Sequence, residues 1–149
     1  MTELSDKDWR IIECLKENSR QSTADISRKT KIPRATVHER IEKMKKEGII
    51  DKFTVKLDCD KIGMHATSII LVAYGGDVPG RERKMAEEFA KHPEVRDVHV
   101  VAGEWDFVLK VKGRTPQEIG KFILEKIRLV EGVGKTVTMP AWESLKEEV

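Results

Sequence analysis

Twice in the first twenty-five residues a serine is followed three positions later by an aspartate, at Ser5/Asp8 and at Ser22/Asp25. Such a pair satisfies the free N–H groups of a helix start in both directions, hydroxyl to main chain and carboxylate back to the serine N–H, so each pair fixes where a helix begins. Behind the first, Ile11, Ile12 and Leu15 recur at helical spacing and predict a helix ending near Asn18. Behind the second, a short helix runs to about Thr30 and is cut by Lys31-Ile32-Pro33. The residue ahead of a proline avoids helical angles, so Ile32 is extended and Pro33 opens a third helix that continues to Glu47 and stops at Gly48. Three short helices with a tight turn between the second and third have the layout of a helix-turn-helix unit. A small helical bundle with no nucleic-acid role has the same outline.

Charge and the helical wheel help to weigh the two. The formal net charge is only +2, but 26–56 holds ten Lys or Arg against four Asp or Glu, whereas 61–149 is balanced at 14 and 14. That local excess is a candidate phosphate-facing patch. Along the third helix Val37, Ile41 and Met44 share the core side, and Ala35, Thr36, Glu39, Lys43 and Lys46 lie opposite, with His38 on the flank and Arg34 nearer the core edge. A small-residue start suits major-groove insertion. Ala35 and Thr36 allow close approach and can touch a thymine methyl, and Glu39 can accept from a cytosine amine. The candidate DNA-contacting set is therefore Arg34, Ala35, Thr36, His38, Glu39, Arg40, Lys43 and Lys46, with the cations as phosphate anchors; the bland reading is that the lysines merely solubilise the helix.

After Ile49 and Ile50 the period changes. Phe53-Thr54-Val55-Lys56-Leu57 alternates and is expected as a strand, making 51–64 a strand linker between a helical domain at 1–50 and a second domain at 65–149. In that second domain Ala66 to Tyr74 reads as a buried strand, broken by Gly75-Gly76-Asp77 and Pro79-Gly80. Arg81 to His92 reads as a helix with Met85 and Phe89 inward, Val95 to Val101 as a strand, Gly103-Glu104 as a hairpin turn and Trp105 to Lys112 as its return. Pro116 to Val130 is a second helix with Ile119, Phe122, Ile123, Ile127 and Val130 inward, and Val133 to Met139 is the last strand. The fold class is α+β: a helix-turn-helix (winged-helix-like) domain joined by the strand linker to a ferredoxin-like βαββαβ domain. Such a sheet carries helices on one face only, and a second subunit is the economical cover for the other.

The order of Leu4-Ser5-Asp6-Lys7-Asp8, Val37-His38-Glu39-Arg40-Ile41, Glu47-Gly48-Ile49-Ile50 and Leu57-Asp58-Cys59-Asp60-Lys61-Ile62-Gly63 carries a resemblance. It continues in Pro93-Glu94-Val95, Gly103-Glu104-Trp105-Asp106-Phe107 and Glu131-Gly132-Val133, ending in Thr136 and Thr138. Across nearly its whole length the chain resembles the Lrp/AsnC family of feast/famine transcriptional regulators. The resemblance implies a regulator of double-stranded DNA that assembles as homodimers, often as octamers, and senses an amino acid or related small metabolite. The positions matching the family's effector motif are Gly103, Glu104 and Asp106 on the hairpin and Thr136 and Thr138 on the last strand. A glycine turn can offer N–H groups to a carboxylate and Asp106 can accept from an ammonium; the same residues also make a plain tight turn. Trp105, on the opposite side of its strand from Asp106, is expected as an interface anchor. Two positions depart from the family: Lys31 stands where it has glycine, and Pro33, where it has serine, has no side-chain oxygen to cap the third helix.

An enzyme reading finds little to stand on. Glu104 with Asp106, or His92 and His99 with a nearby acid, are the available pairs, but His38, His65, His92 and His99 lack metal-ligand spacing. No phosphate loop, nucleophile elbow or other cofactor motif is present. Cys14 and Cys59 read as free thiols. An effector-independent DNA-wrapping protein remains the second alternative. No apolar run reaches membrane-spanning length and Met1 to Asp8 is polar, so a cytoplasmic protein is expected with no membrane partner. One Asn and two Gln among abundant charge suggest a thermophilic source.

Overall fold

The computed structural model describes residues 3–76 and 80–146, so the turn read at Asp77 and Pro79 lies outside the described residues. The chain divides into two compact units, Met1–Lys56 and Leu57–Glu148.

The first unit holds α1 (Asp6–Glu17), α2 (Thr23–Thr30) and α3 (Arg34–Lys46). Both serine–aspartate pairs close as reciprocal caps: the Asp8 carboxylate accepts from the Ser5 N–H at 2.9 Å, and Asp25 accepts from the Ser22 hydroxyl at 2.6 Å. Pro33 precedes α3 with no side-chain cap, and Gly48 beyond its end takes a left-handed φ of 70°. Ile11, Ile26, Ile32, Val37 and Met44 form the buried core, with Leu4, Ile12, Leu15, Ile41, Ile49 and Ile50 packed around it.

From Asp51 to Asp58 the chain forms neither helix nor ladder, which corrects the strand expected over Phe53 to Leu57. Alternation supplies one apolar face, but a strand also needs a neighbour for its N–H and C=O groups. None of the described residues supplies one. Phe53, Val55 and Leu57 are left 49%, 73% and 55% exposed.

The second unit runs β1 (Ala66–Tyr74), α4 (Glu82–Ala90), β2 (Val95–Val100), β3 (Phe107–Gly113), α5 (Pro116–Glu125), a 3-10 turn at Ile127–Leu129 and β4 (Val133–Pro140). The helix expected to reach Val130 thus ends at Glu125. The tighter three-residue turn that follows puts Ile127 and Val130 on the same side, toward the core. The strands pair antiparallel in the order β2-β3-β1-β4, giving the ferredoxin-like arrangement. Alternate residues of β1 and β3, namely Ile70, Val72, Phe107, Leu109 and Val111, meet Met85 and Phe89 of α4 and Ile119 and Ile123 of α5 in one core. Phe89 and Phe107 pack edge to face with ring centroids 5.4 Å apart.

The register fixes the opposite face as well. Across it run the rows His99–Val108–Leu71–Val137 and Asp97–Lys110–Ile69–Met139. Ile69, Leu71, Val108 and Val137 are only half-buried, and no described element of this unit packs over them.

Where β1 ends against β4, two glycines let the backbones nearly touch. A Cβ on Gly75 would lie 2.8 Å from the Gly134 Cα, and the Gly75 N–H donates to the Gly132 carbonyl at 2.8 Å. Gly75→Ala should therefore destabilise the protein by about 1 to 3 kcal/mol in denaturant unfolding. Gly120→Ala, in the middle of α5 with open space around it, should stabilise it by up to about 1 kcal/mol. Equal effects at the two positions would contradict the close approach.

Candidate nucleic-acid interface and effector region

The third helix is held from behind by one polar contact. Asp8, 5% exposed, receives Arg40 from α3 at 3.0 Å to Oδ2 and 3.2 Å to Oδ1, while the same carboxylate caps α1 through Ser5. Burial pushes the Asp8 carboxyl up, but hydrogen bonds from the Ser5 hydroxyl and N–H, with the Arg40 charge, outweigh it and hold it below the ordinary aspartate range. The turn between α2 and α3 is fastened separately. The Ser27 hydroxyl donates to the Ile32 carbonyl at 2.6 Å, the Thr30 hydroxyl to the Ile26 carbonyl at 2.7 Å, and Arg10 of α1 donates to the Thr30 carbonyl.

With Val37 and Met44 buried and Ile41 half-buried, α3 turns Ala35, His38, Glu39, Lys43 and Lys46 to solvent, and Thr36 lies half-buried at the margin of that face. Arg34 is exposed and its Nε donates to the Thr23 hydroxyl at 3.2 Å, which fastens it over the start of α2. Lys43 lies 3.7 Å from Glu47, and Lys46 makes no ion pair with a described residue. Arg40 stands apart from the other candidates. Its guanidinium is turned into the unit onto Asp8, so it holds the helix where the sequence reading had it among the DNA contacts. The basic excess is also smaller than a count suggests, because Arg28, Lys29 and Lys45 are paired with Asp25, Glu17 and Glu42.

In the second unit the five candidate effector residues lie at one end and one edge of the sheet. Gly103, with φ 145°, and Glu104 are exposed in the β2–β3 hairpin. Asp106 is committed to the sheet on one side: its Oδ2 accepts from the Tyr74 N–H at 2.7 Å and its own N–H donates to the Val72 carbonyl at 3.0 Å. Thr136 and Thr138 pair with Val72 and Ile70 on the far side of β1, so β1 separates them from Asp106. An open cleft between α4 and β2, floored by Ala86, Ala90, Val98 and Val100, includes Asp106 but none of the other four. Within one chain, therefore, the five do not close around a single cavity. Trp105 is half-buried, with the Lys135 ammonium 5.0 Å from its ring centroid. Among the described residues no cluster of His, Cys, Asp and Glu could hold a metal, and no helix is long and apolar enough to cross a membrane.

Residues 4–51 match the sequence model of a winged helix-turn-helix DNA-binding domain, and residues 67–149 match that of the Lrp/AsnC ligand binding domain. The chain belongs to the Lrp/AsnC family. An HTH-type transcriptional regulator of Pyrococcus furiosus is 45% identical to it, with 100% of each chain aligned. Two solved structures show the same fold. AsnC of E. coli superposes with a TM-score of 0.87 at 20% identity, covering 99% of this chain and 98% of that one. A Neisseria meningitidis transcriptional regulator solved as an L-Met complex superposes with a TM-score of 0.89 at 19% identity, covering 98% and 94%. This Lrp/AsnC protein is thus a DNA-binding transcriptional regulator with a ligand-binding domain.

Sequence reasoning missed the residues that hold α3 in place. Asp8 was legible as a cap, but its second contact with Arg40 spans 32 positions and has no local signature. The Arg10, Ser27 and Thr30 bonds around the turn are of the same kind. The Asp8 contact has a measurable consequence. A carboxyl whose folded pKa is depressed stabilises the fold above its unfolded pKa and loses that contribution as pH falls through the folded value. Asp8→Asn should cost about 1 to 3 kcal/mol at neutral pH, and in acid titrations the gap from wild type should close below about pH 4. A gap independent of pH would contradict the ionic contact.

Proposed function

We propose that this regulator reads specific DNA sequences through α3, with two copies presenting two recognition helices about one duplex turn apart or a small multiple of it. The observation that carries this reading is the exposed face of Ala35, His38, Glu39 and Lys46 on a helix fastened to α1 by Asp8 and Arg40. Arg34, Lys43 and Lys46 neutralise phosphates, and Ala35, Thr36, His38 and Glu39 meet base edges. Arg40 holds the helix at its working angle. The family and the regulator relatives support a binder rather than an enzyme, acting in the cytoplasm.

Homodimers form through the uncovered sheet face, whose Ile69, Leu71, Val108 and Val137 need a cover, and dimers assemble further toward octamers. An amino acid or related small metabolite binds near Gly103, Glu104, Asp106, Thr136 and Thr138. Because these residues do not close a cavity within one chain, the site is completed between copies, and occupancy changes how dimers stack and how DNA is held. The ligand-binding description of the family domain supports this, as does the L-Met found in the Neisseria regulator.

Fluorescence anisotropy with a duplex from upstream of the protein's own gene and a scrambled duplex, across a salt series, tests the DNA half. Lys46→Ala should weaken both duplexes alike and lower the salt slope by about 0.9. Thr36→Ala and Glu39→Ala should instead change the preference between duplexes, by about 1 to 3 kcal/mol at a single base pair. Identical behaviour of the two groups would overturn the face assignment. For the effector half, a pool of the twenty amino acids should shift the native-duplex affinity and Asp106→Ala should remove the shift. Specific binding that ignores the pool would favour the effector-independent DNA-wrapping alternative. By linkage, whatever ligand moves DNA affinity must itself bind differently to the DNA complex by the same factor.

A further inference from the structure

Lys31, which closes α2, has φ 59° and ψ 23°, and it is the one non-glycine residue with positive φ among the described residues. That conformation crowds the Cβ of an L-residue and suits glycine, so a lysine here strains the folded chain. Nothing in the turn calls for a lysine. The Lys31 N–H donates to the Ser27 carbonyl at 2.8 Å, as any residue's N–H could. The other fastenings come from the Ser27 and Thr30 hydroxyls and from Arg10. The Lys31 side chain is exposed and makes no ion pair with a described residue, whereas the neighbouring Arg28 and Lys29 each hold a carboxylate. Its place is at the head of the recognition helix. It lies four positions before Ala35 and three before Arg34, whose own guanidinium reaches away to the Thr23 hydroxyl at the other end of α2.

We propose that Lys31 is a phosphate contact of the DNA-bound protein, its ammonium held at the head of α3 at the expense of backbone comfort in the free state. The proposal rests on the DNA-binding reading and adds to it a residue outside the exposed face of α3. A cation that strains the free chain and adds no contact to it is explained by a state in which it is paired. The polyanion beside α3 supplies that pairing. Because the Lys31 main chain is already fastened, only side-chain freedom is lost when the ammonium engages a phosphate.

Two substitutions separate the contact from the strain. Lys31→Gly relieves the strain and removes the charge, so it should raise Tm by about 2 to 4 °C. In the same protein, affinity for native and scrambled duplexes should fall by a similar factor, about fivefold, and the salt slope should fall by about 0.9. Lys31→Gln removes the charge and keeps the strain, so it should show the same loss of affinity with Tm unchanged. Wild-type affinity and slope in Lys31→Gly would overturn the proposal. So would a loss in Lys31→Gly that Lys31→Gln does not share, since that would be a backbone effect. Failure of the wild-type chain to bind any duplex in a salt-dependent way would instead overturn the DNA-binding reading itself.

Discussion

A nearly buried carboxylate, Asp8, serves two elements at once: it caps α1 through Ser5 and receives Arg40 from α3. Leaving such a group without a partner is costly in a site with little water, so the three side chains stand or fall together. The consequence is positional. A recognition helix is useful only if its outward face is presented at a fixed angle, and the small core of isoleucines beneath it is greasy enough to hold α3 but not directional enough to orient it. The Asp8–Arg40 pair supplies the direction, and the bonds from Arg10, Ser27 and Thr30 fix the turn that leads into it. The exposed residues of α3 are then left free for the DNA contact proposed for them.

The second unit is governed by a different constraint. A four-stranded sheet with both helices on one side pairs the main chain of its two inner strands on both sides but covers only half its apolar surface. The rows through Leu71 and Ile69 remain half-buried in one chain, and Phe53, Val55 and Leu57 add an alternating apolar segment that no described residue pairs with. Surfaces of this kind mark contacts with other molecules. The separation of Asp106 from Thr136 by a strand leads the same way: residues that do not meet in one chain can line a site only with the help of another. In the reading advanced here, assembly and ligand sensing share these surfaces.

Much of this fold was legible in the sequence because its signals are local. The two serine–aspartate pairs, the Ile32-Pro33 interruption and Gly48 each dictate a helix boundary by chemistry within a few residues. Period-2 and period-3.6 patterns gave the βαββαβ order of the second unit for the same reason. What local pattern did not show has one physical origin. Phe53 to Leu57 has the alternation of a strand, but a ladder is a property of two segments. Arg40 has the charge of a DNA contact, but its partner lies 32 positions away. Asp106 was chosen as an acceptor for a ligand ammonium, and one of its oxygens is engaged by the Tyr74 N–H across two strands. Type and spacing name which residues can do chemistry; which of them are already occupied is decided by long-range pairing.

On this reading α3, and not another surface, meets DNA. Photo-cross-linking tests it directly, with a benzophenone amino acid placed at Glu39 on the exposed face of α3 or at Glu13 on α1, in the full chain bound to a labelled duplex. The expected result is a DNA adduct from position 39 that native duplex competes away, and none from position 13. Adducts from position 13 with none from position 39 would contradict it.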